Sequence, residues 1–235
     1  MALAFAIGFQ GRQTAALQSL DHAATIAREQ GRTMDLIEVL HAIINCEVSS
    51  GTRWADETLD ELVRLGAATT NGRATAIVKA SLGLTALLDG RPEAATLLRD
   101  AADLAADRMT LVEATWAGWA HLADAGQSAK GQLLGLAGTL HHYERTRLPL
   151  ALRWNLRTFA PALSRFDRHT AVAVVKGAGP ASGIFPRESE QAFRHARNVL
   201  GAAEYERLVE WGHQMSTDQV AAFLRGELDL LAIRT

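Results

Sequence analysis

Residues 74–106 read ATAIVKASLGLTALLDGRPEAATLLRDAADLAA. Apolar residues recur in this stretch at spacings of three and four, the period of a helix, and Ile77, Leu84 and Leu88 fall along one side. The pattern is interrupted at Asp89-Gly90-Arg91-Pro92. Glycine adopts the left-handed conformation that stops a helix, and proline fits the first position of the next one. Glu93 then sets a carboxylate at the positive helix start. Two helices, residues 74–88 and 92–106, are predicted around one tight turn.

The same punctuation recurs along the chain. Breakers stand at Gly11, Gly51, Gly90, Gly126 and Asp167, with gaps of 40, 39, 36 and 41 residues. Only five prolines occur in 235 residues, and valine and isoleucine never alternate with polar residues over a long stretch. A breaker at a period of about 40 between helical stretches is the mark of stacked αα-hairpins. Within the Gly90 unit, Leu82-Gly83, Gly90, Ala95 and Ala102 have the spacing of the tetratricopeptide (TPR) hairpin, which they resemble. Small residues serve there because helices approach closely at Gly83 and Ala95, and the next hairpin packs at Ala102. The opening unit repeats the pattern with Leu3-Ala4, Gly11, Ala16 and Ala23. Later units depart from it: Trp119 stands where a small residue is expected, Val172 replaces an alanine, and Asp56 does so in the Gly51 unit. The resemblance is TPR-like rather than strict.

The expected fold is therefore all-α: a TPR-like αα-hairpin solenoid wound as a right-handed superhelix, with four to five hairpins and a three-helix C-terminal end. Residues 1–176 hold the repeats, 177–186 a Gly/Pro-rich loop, and 187–235 capping helices of the same continuous domain. The last helices are expected at 187–200, at 202–211 and from 217 to about 224, before Gly226. Ser216 or Thr217 is the expected N-cap of the last. Only about ten residues precede the first turn. The chain is thus expected to be the C-terminal piece of a longer solenoid, or to be capped at its Met1 end by another subunit, as in a homodimer.

Composition narrows the class of function. The chain weighs 25.3 kDa and is 48% hydrophobic and 21% charged, a globular balance. Net charge is −2, so no global basic field draws it to DNA or anionic lipid. One cysteine, Cys46, leaves no internal disulfide framework and no cysteine-based zinc site, and a cytoplasmic setting is expected. The apolar opening, MALAFAIGF, lacks the basic start of a signal peptide and reads as a helix of the fold. No apolar run reaches the roughly 20 residues of a membrane span.

Residues 196–221, ARNVLGAAEYERLVEWGHQMSTDQVA, resemble the end of the helical region in large ATP-binding LuxR-type regulators and their cyclase-linked relatives of actinobacteria. Arg197, Leu200-Gly201, Tyr205, Trp211-Gly212 and Thr217-Asp218 match that family's Arg-x-x-Leu-Gly step, aromatic, glycine and acidic cap. The resemblance covers roughly the last 85 residues. It implies a regulator whose other parts are an ATPase module and an effector, a cyclase-like or a helix-turn-helix domain. No Gly-x-x-x-x-Gly-Lys-Ser/Thr motif is present, so nucleotide binding is not expected, and with about ten residues after the last expected helix there is no room for a helix-turn-helix, so direct DNA binding by this chain is not expected either.

Side-chain constellations are weighed on their chemistry. Gly177-Ala-Gly-Pro-Ala-Ser-Gly183 has the glycines of a phosphate loop, but Lys176 precedes them and Pro180 removes a donor; residues 171–175 fit a helix instead. His141 and His142 point about 100° apart on a helix and do not share an ion easily; with His121, Glu144, Glu188, Glu190 and His195 they read as surface groups. Cys46, beside no histidine or basic residue, reads as a small buried hydrophobe. Trp116 and Trp119 are expected to pack between hairpins. No catalytic residue, metal or cofactor is expected.

Partner-binding residues are sought on first helices. Residues 141–169 hold Arg145, Arg147, Arg153, Arg157, Arg165 and Arg168 against Glu144 and Asp167. Arg153 and Arg157, one turn apart and flanking Trp154, form either a cationic stripe for an acidic peptide or phosphate, or a solvated helix face. Leu84, Leu87 and Leu88, with Ile77 and Ala80, form an apolar inner line that a tight superhelix buries or a partner helix covers. Two readings follow. One is a non-catalytic protein-interaction and regulatory domain, contacting a protein partner or other domains of the same regulator. The other is a small-molecule sensor with a closed pocket of about 300 Å³ or more.

Overall fold

The chain is represented by a computed structural model that describes residues 13–50, 56–105, 115–120, 123, 128–147, 149–179 and 186–233. Every regular element among them is helical. In order these are α1 (Gln13–Glu29), α2 (Thr33–Ser50), α3 (Asp56–Ala67), α4 (Gly72–Leu88) and α5 (Ala94–Ala105). Residues 115–120 are helical, and α6 (Ala129–Thr146) follows. Then α7 (Pro149–Asn155) runs through a 3-10 turn (Leu156–Phe159) into α8 (Ala160–Arg165). The chain continues as α9 (His169–Ala178), α10 (Pro186–Leu200), α11 (Ala202–Gln214) and α12 (Thr217–Leu230). The all-α expectation is met. The breakers Gly11, Gly51 and Gly126, the opening apolar run, His121, and Pro180 through Gly183 of the glycine-rich stretch lie outside the described residues.

The Gly90 turn forms as its chemistry dictates. Gly90 sits at φ +68, and the Arg91 N–H donates back to the Ala86 carbonyl at 2.8 Å, closing the helix end. Pro92 lies in the turn itself, two residues ahead of α5, rather than at the first helical position. Asp167 likewise takes a left-handed φ of 56 between α8 and α9. At the start of α12, Ser216 is the cap. Its hydroxyl accepts from the Gln219 N–H at 3.2 Å, and the Gln219 side chain accepts from the Ser216 N–H at 2.7 Å.

Packing follows the small residues. In α4, a Cβ on Gly83 would lie 2.7 Å from the Leu98 side chain and 3.1 Å from its backbone nitrogen, so only glycine lets α5 settle there. The helix α2 packs on α1, α3 and α4, and α9 packs on α8, α10 and α11. One apolar core reaches from Leu20 to Ile233.

The last helix corrects the sequence expectation. It runs through Gly226 to Leu230 instead of stopping near Leu224. Gly226 faces open space, and its poor helix propensity, about 1 kcal/mol, is offset because Leu224 and Leu228 on either side are fully buried. Gly226→Ala is therefore expected to stabilise the chain by about 0.5–1 kcal/mol, seen as a higher urea midpoint.

Candidate functional site

Two side-chain clusters stand out. The first lies between α2 and α4. His41 is buried, and its Nδ1 lies 2.8 Å from the Ser81 hydroxyl oxygen while the Asn45 amide lies 3.0 Å from its Nε2. Ser81 in turn donates to the Ile77 carbonyl at 3.0 Å. That commitment fixes the proton order. Asn45 donates to Nε2, so Nδ1 carries the ring proton and donates to Ser81. The trio has the composition of a nucleophile relay but the opposite polarity, because the imidazole gives Ser81 a hydrogen instead of withdrawing one. Ser81 is 0% exposed and Trp116 packs edge-on against His41, ring centres 5.8 Å apart. The cluster locks two helices together.

Burial depresses His41 from 6.5 to about 4. A histidine held neutral in the fold but free to charge when unfolded makes the unfolded state the stronger proton binder between those values. Its contribution is complete above pH 6.5 and is lost as pH falls toward 4, to a total of roughly 3 kcal/mol. Denaturant titrations at pH 7.5 and pH 5 are expected to show about 2 kcal/mol of this loss, since pH 5 lies between the two values. The expected loss is smaller in His41→Gln, which has no titratable ring.

The second cluster collects the arginine-rich stretch. It is built from the C-terminal end of α6, α7 and the ends of α9, with α12 laid across them. Arg153 on α7 makes three bonds: to the Thr217 hydroxyl (3.0 Å), the Met215 carbonyl (2.7 Å) and the Ala178 carbonyl (2.9 Å). Arg147, left-handed at the end of α6, donates to Asp218 at 2.8 Å, and the Tyr143 hydroxyl donates to the same carboxylate at 2.9 Å. Burial and the Asp218 charge push the Tyr143 hydroxyl above its ordinary value. Arg168 donates to Glu227 at 2.5 Å, and Arg225 of α12 donates back to Glu144 at 3.0 Å. Between these ionic ends, Val220, Leu224 and Leu228 present a fully buried apolar stripe.

Arg157 is engaged differently. It bonds the Lys176 carbonyl at 3.3 Å, lies 5.4 Å above the Phe193 ring and pairs with Glu190 at 3.9 Å. Burial pushes its guanidinium below the ordinary value. Arg153 and Arg157 are thus taken up by contacts within the chain and do not form an open stripe. The side chain of Trp154, between them, lies outside the described residues. Leu84 and Leu87 are buried and Leu88 is half-buried, so the apolar inner line is covered by the chain's own helices.

Trp116 and Trp119 are buried, and the Trp119 indole donates to Asn155 at 3.1 Å. Residues 171–175 are helical, and Gly177 is a packing contact. His142 is buried rather than surface-exposed, whereas His141 is exposed. Cys46 is half-buried, and burial with the neighbouring Glu47 pushes its thiol up. No group of three or more potential metal ligands occurs among the described residues. No helix among them is long and apolar enough to cross a membrane. A surface depression of about 480 Å³ is lined by Arg207, Glu210, Trp211 and Gln214 of α11. Three of those four side chains are polar and Trp211 is 41% exposed, unlike the closed apolar pocket a sensor needs.

Sequence reasoning missed the acidic partners of the arginines. Asp218 stands on the expected last helix, but Glu227 lies beyond its expected end near Leu224, so the sequence pointed to only one of the two. No protein family, curated protein or solved structure matches the chain.

Proposed function

We propose that this chain is a non-catalytic, TPR-like protein-interaction and regulatory domain of a multidomain signalling or transcriptional regulator. Its hairpins stack as a right-handed superhelix, and its partner is a protein or another domain of the same regulator. The observation that carries the reading is a set of contacts spaced by one repeat. His41 meets Ser81 40 residues on, Thr115 meets Asn155 after another 40, and Trp119 meets Asn155 after 36. The crossing of α9 and α11 likewise joins Val174 to Gly212, 38 residues apart. These separations lie near the length of one repeat, which supports a reading of stacked hairpins.

The regulator part of the reading rests on the resemblance of residues 196–221. In that setting the domain is cytoplasmic and relays the state of an ATPase or cyclase-like module to an effector. Co-expression of the chain with the ATPase or cyclase region encoded in frame or directly upstream tests it. A complex of fixed stoichiometry is expected to co-purify. Independent migration of the two in sedimentation, with each folded, contradicts the proposal.

A further inference from the structure

We propose that the groove between α6, α7 and α9 is a helix-binding site which α12 fills in cis, and that an acidic amphipathic helix of a partner protein displaces α12 from it. The inference rests on the interaction-domain reading and specifies the partner's chemistry.

The argument starts from where α12 lies. It packs on α6, α7 and α9, its polar contacts reaching back 75 residues from Asp218 to Tyr143 and 59 from Glu227 to Arg168. It joins α11 through Met215 and Ser216, both in extended backbone. Its start is self-sufficient: the Ser216–Gln219 capping box lies wholly within the segment, so the helix needs no groove residue to begin. Its seat is the helix-in-groove mode, with Val220, Leu224 and Leu228 buried along one face at spacings of four.

Specificity comes from the ends. Asp218 meets Tyr143 and Arg147, and Glu227 meets Arg168. Arg153 grips the chain just ahead of the helix through the Met215 carbonyl and the Thr217 hydroxyl. Every helix is preceded by a carbonyl that could take this grip, so it is not peculiar to α12. The groove therefore reads a mixed pattern: an acid at the second helical position, apolar residues at the fourth, eighth and twelfth, a base at the ninth, where Arg225 meets Glu144 of α6, and an acid at the eleventh. Two acidic contacts against one basic contact leave the pattern net acidic, so charge complementarity selects an acidic helix over a basic one.

The test uses the full chain and a fluorescein-labelled peptide of residues 215–233, MSTDQVAAFLRGELDLLAI. Asp218→Arg with Glu227→Arg in the full chain weakens the cis helix. This variant is expected to bind the peptide at least tenfold more tightly than the wild-type chain, by anisotropy. A peptide carrying the same two reversals is expected not to bind. A variant with wild-type helical signal and cooperative melting that binds no more tightly overturns the proposal. Should the variant not fold, hydrogen exchange on the wild-type chain decides. Amides 219–228 are then expected to exchange at least tenfold faster than those of α9. Exchange of α12 only together with α9 overturns the proposal. Doubling of mass with α12 exchanged between copies also overturns it, since the occupant is then a second copy. Failed co-purification with a neighbouring regulator module leaves the peptide result unaffected, so the two proposals fail separately.

Discussion

Gly212→Ala is expected to destabilise the chain by about 3 kcal/mol, a fall in melting temperature of roughly 6–12 °C at this size. The reason is a backbone-to-backbone crossing. A Cβ at position 212 would stand 2.2 Å from the Val174 carbonyl oxygen, and one at Gly177 would stand 1.9 Å from the Val209 carbonyl oxygen. Neither obstacle is the free end of a side chain, so relief requires α9 and α11 to move apart. Separation would loosen Val174, Val175 and Leu208, all buried beside the crossing. Alanine's better helix propensity returns only about 1 kcal/mol. Gly226→Ala makes the same chemical change in α12, with no atom in its way, and is expected to have the opposite sign. Thermal melts of the two variants beside the wild type read both effects.

Arg153→Met is expected to cost about 2–3 kcal/mol, because hydrogen bonds from a charged donor are the costlier ones to lose. The substitution keeps an unbranched stem and removes only the guanidinium. The Met215 and Ala178 carbonyls and the Thr217 hydroxyl then lose the donor that holds α7, the end of α9 and the start of α12 together. Arg153→Lys is expected to recover only part of the loss, since an ammonium cannot reproduce the planar fork that spans three acceptors. Urea unfolding gives the size of the effect. Proteolysis after residue 214 is expected to rise in Arg153→Met and to stay at the wild-type level in Arg91→Met, whose pairs with Asp89 and Glu93 are exposed.

The helices and the Gly90 turn were legible because their causes are local: periodicity, a left-handed glycine and small residues at a fixed spacing. Gly83 marks a close approach for that reason, and Leu98 is what approaches it. The full reach of α12 was not legible, because burial of Leu228 outweighs a glycine two residues earlier, and burial is a tertiary fact. Gly177 has the local look of a phosphate loop, and its purpose lies in α11, which packs against it from a distant part of the chain. The arginines illustrate the same limit. Their number and helical placement were readable, but Asp218 and Glu227, more than fifty residues downstream, reach them only after the chain folds back. The contact of His41 with Ser81 joins residues 40 apart in sequence, and no local pattern marks either of them.

Zero-length carbodiimide crosslinking of the intact chain, mapped by mass spectrometry, tests the paired-helix architecture most directly. The sequence holds three lysines, Lys79, Lys130 and Lys176, so each crosslink has an unambiguous origin. Lys79 of α4 pairs with Asp100 of α5, and Lys176 of α9 lies 3.4 Å from Glu190 of α10. Crosslinks Lys79–Asp100 and Lys176–Glu190 within the monomer are the predicted result. Lys79 joined instead to a carboxylate outside α5, with no link to Asp100, would contradict the account.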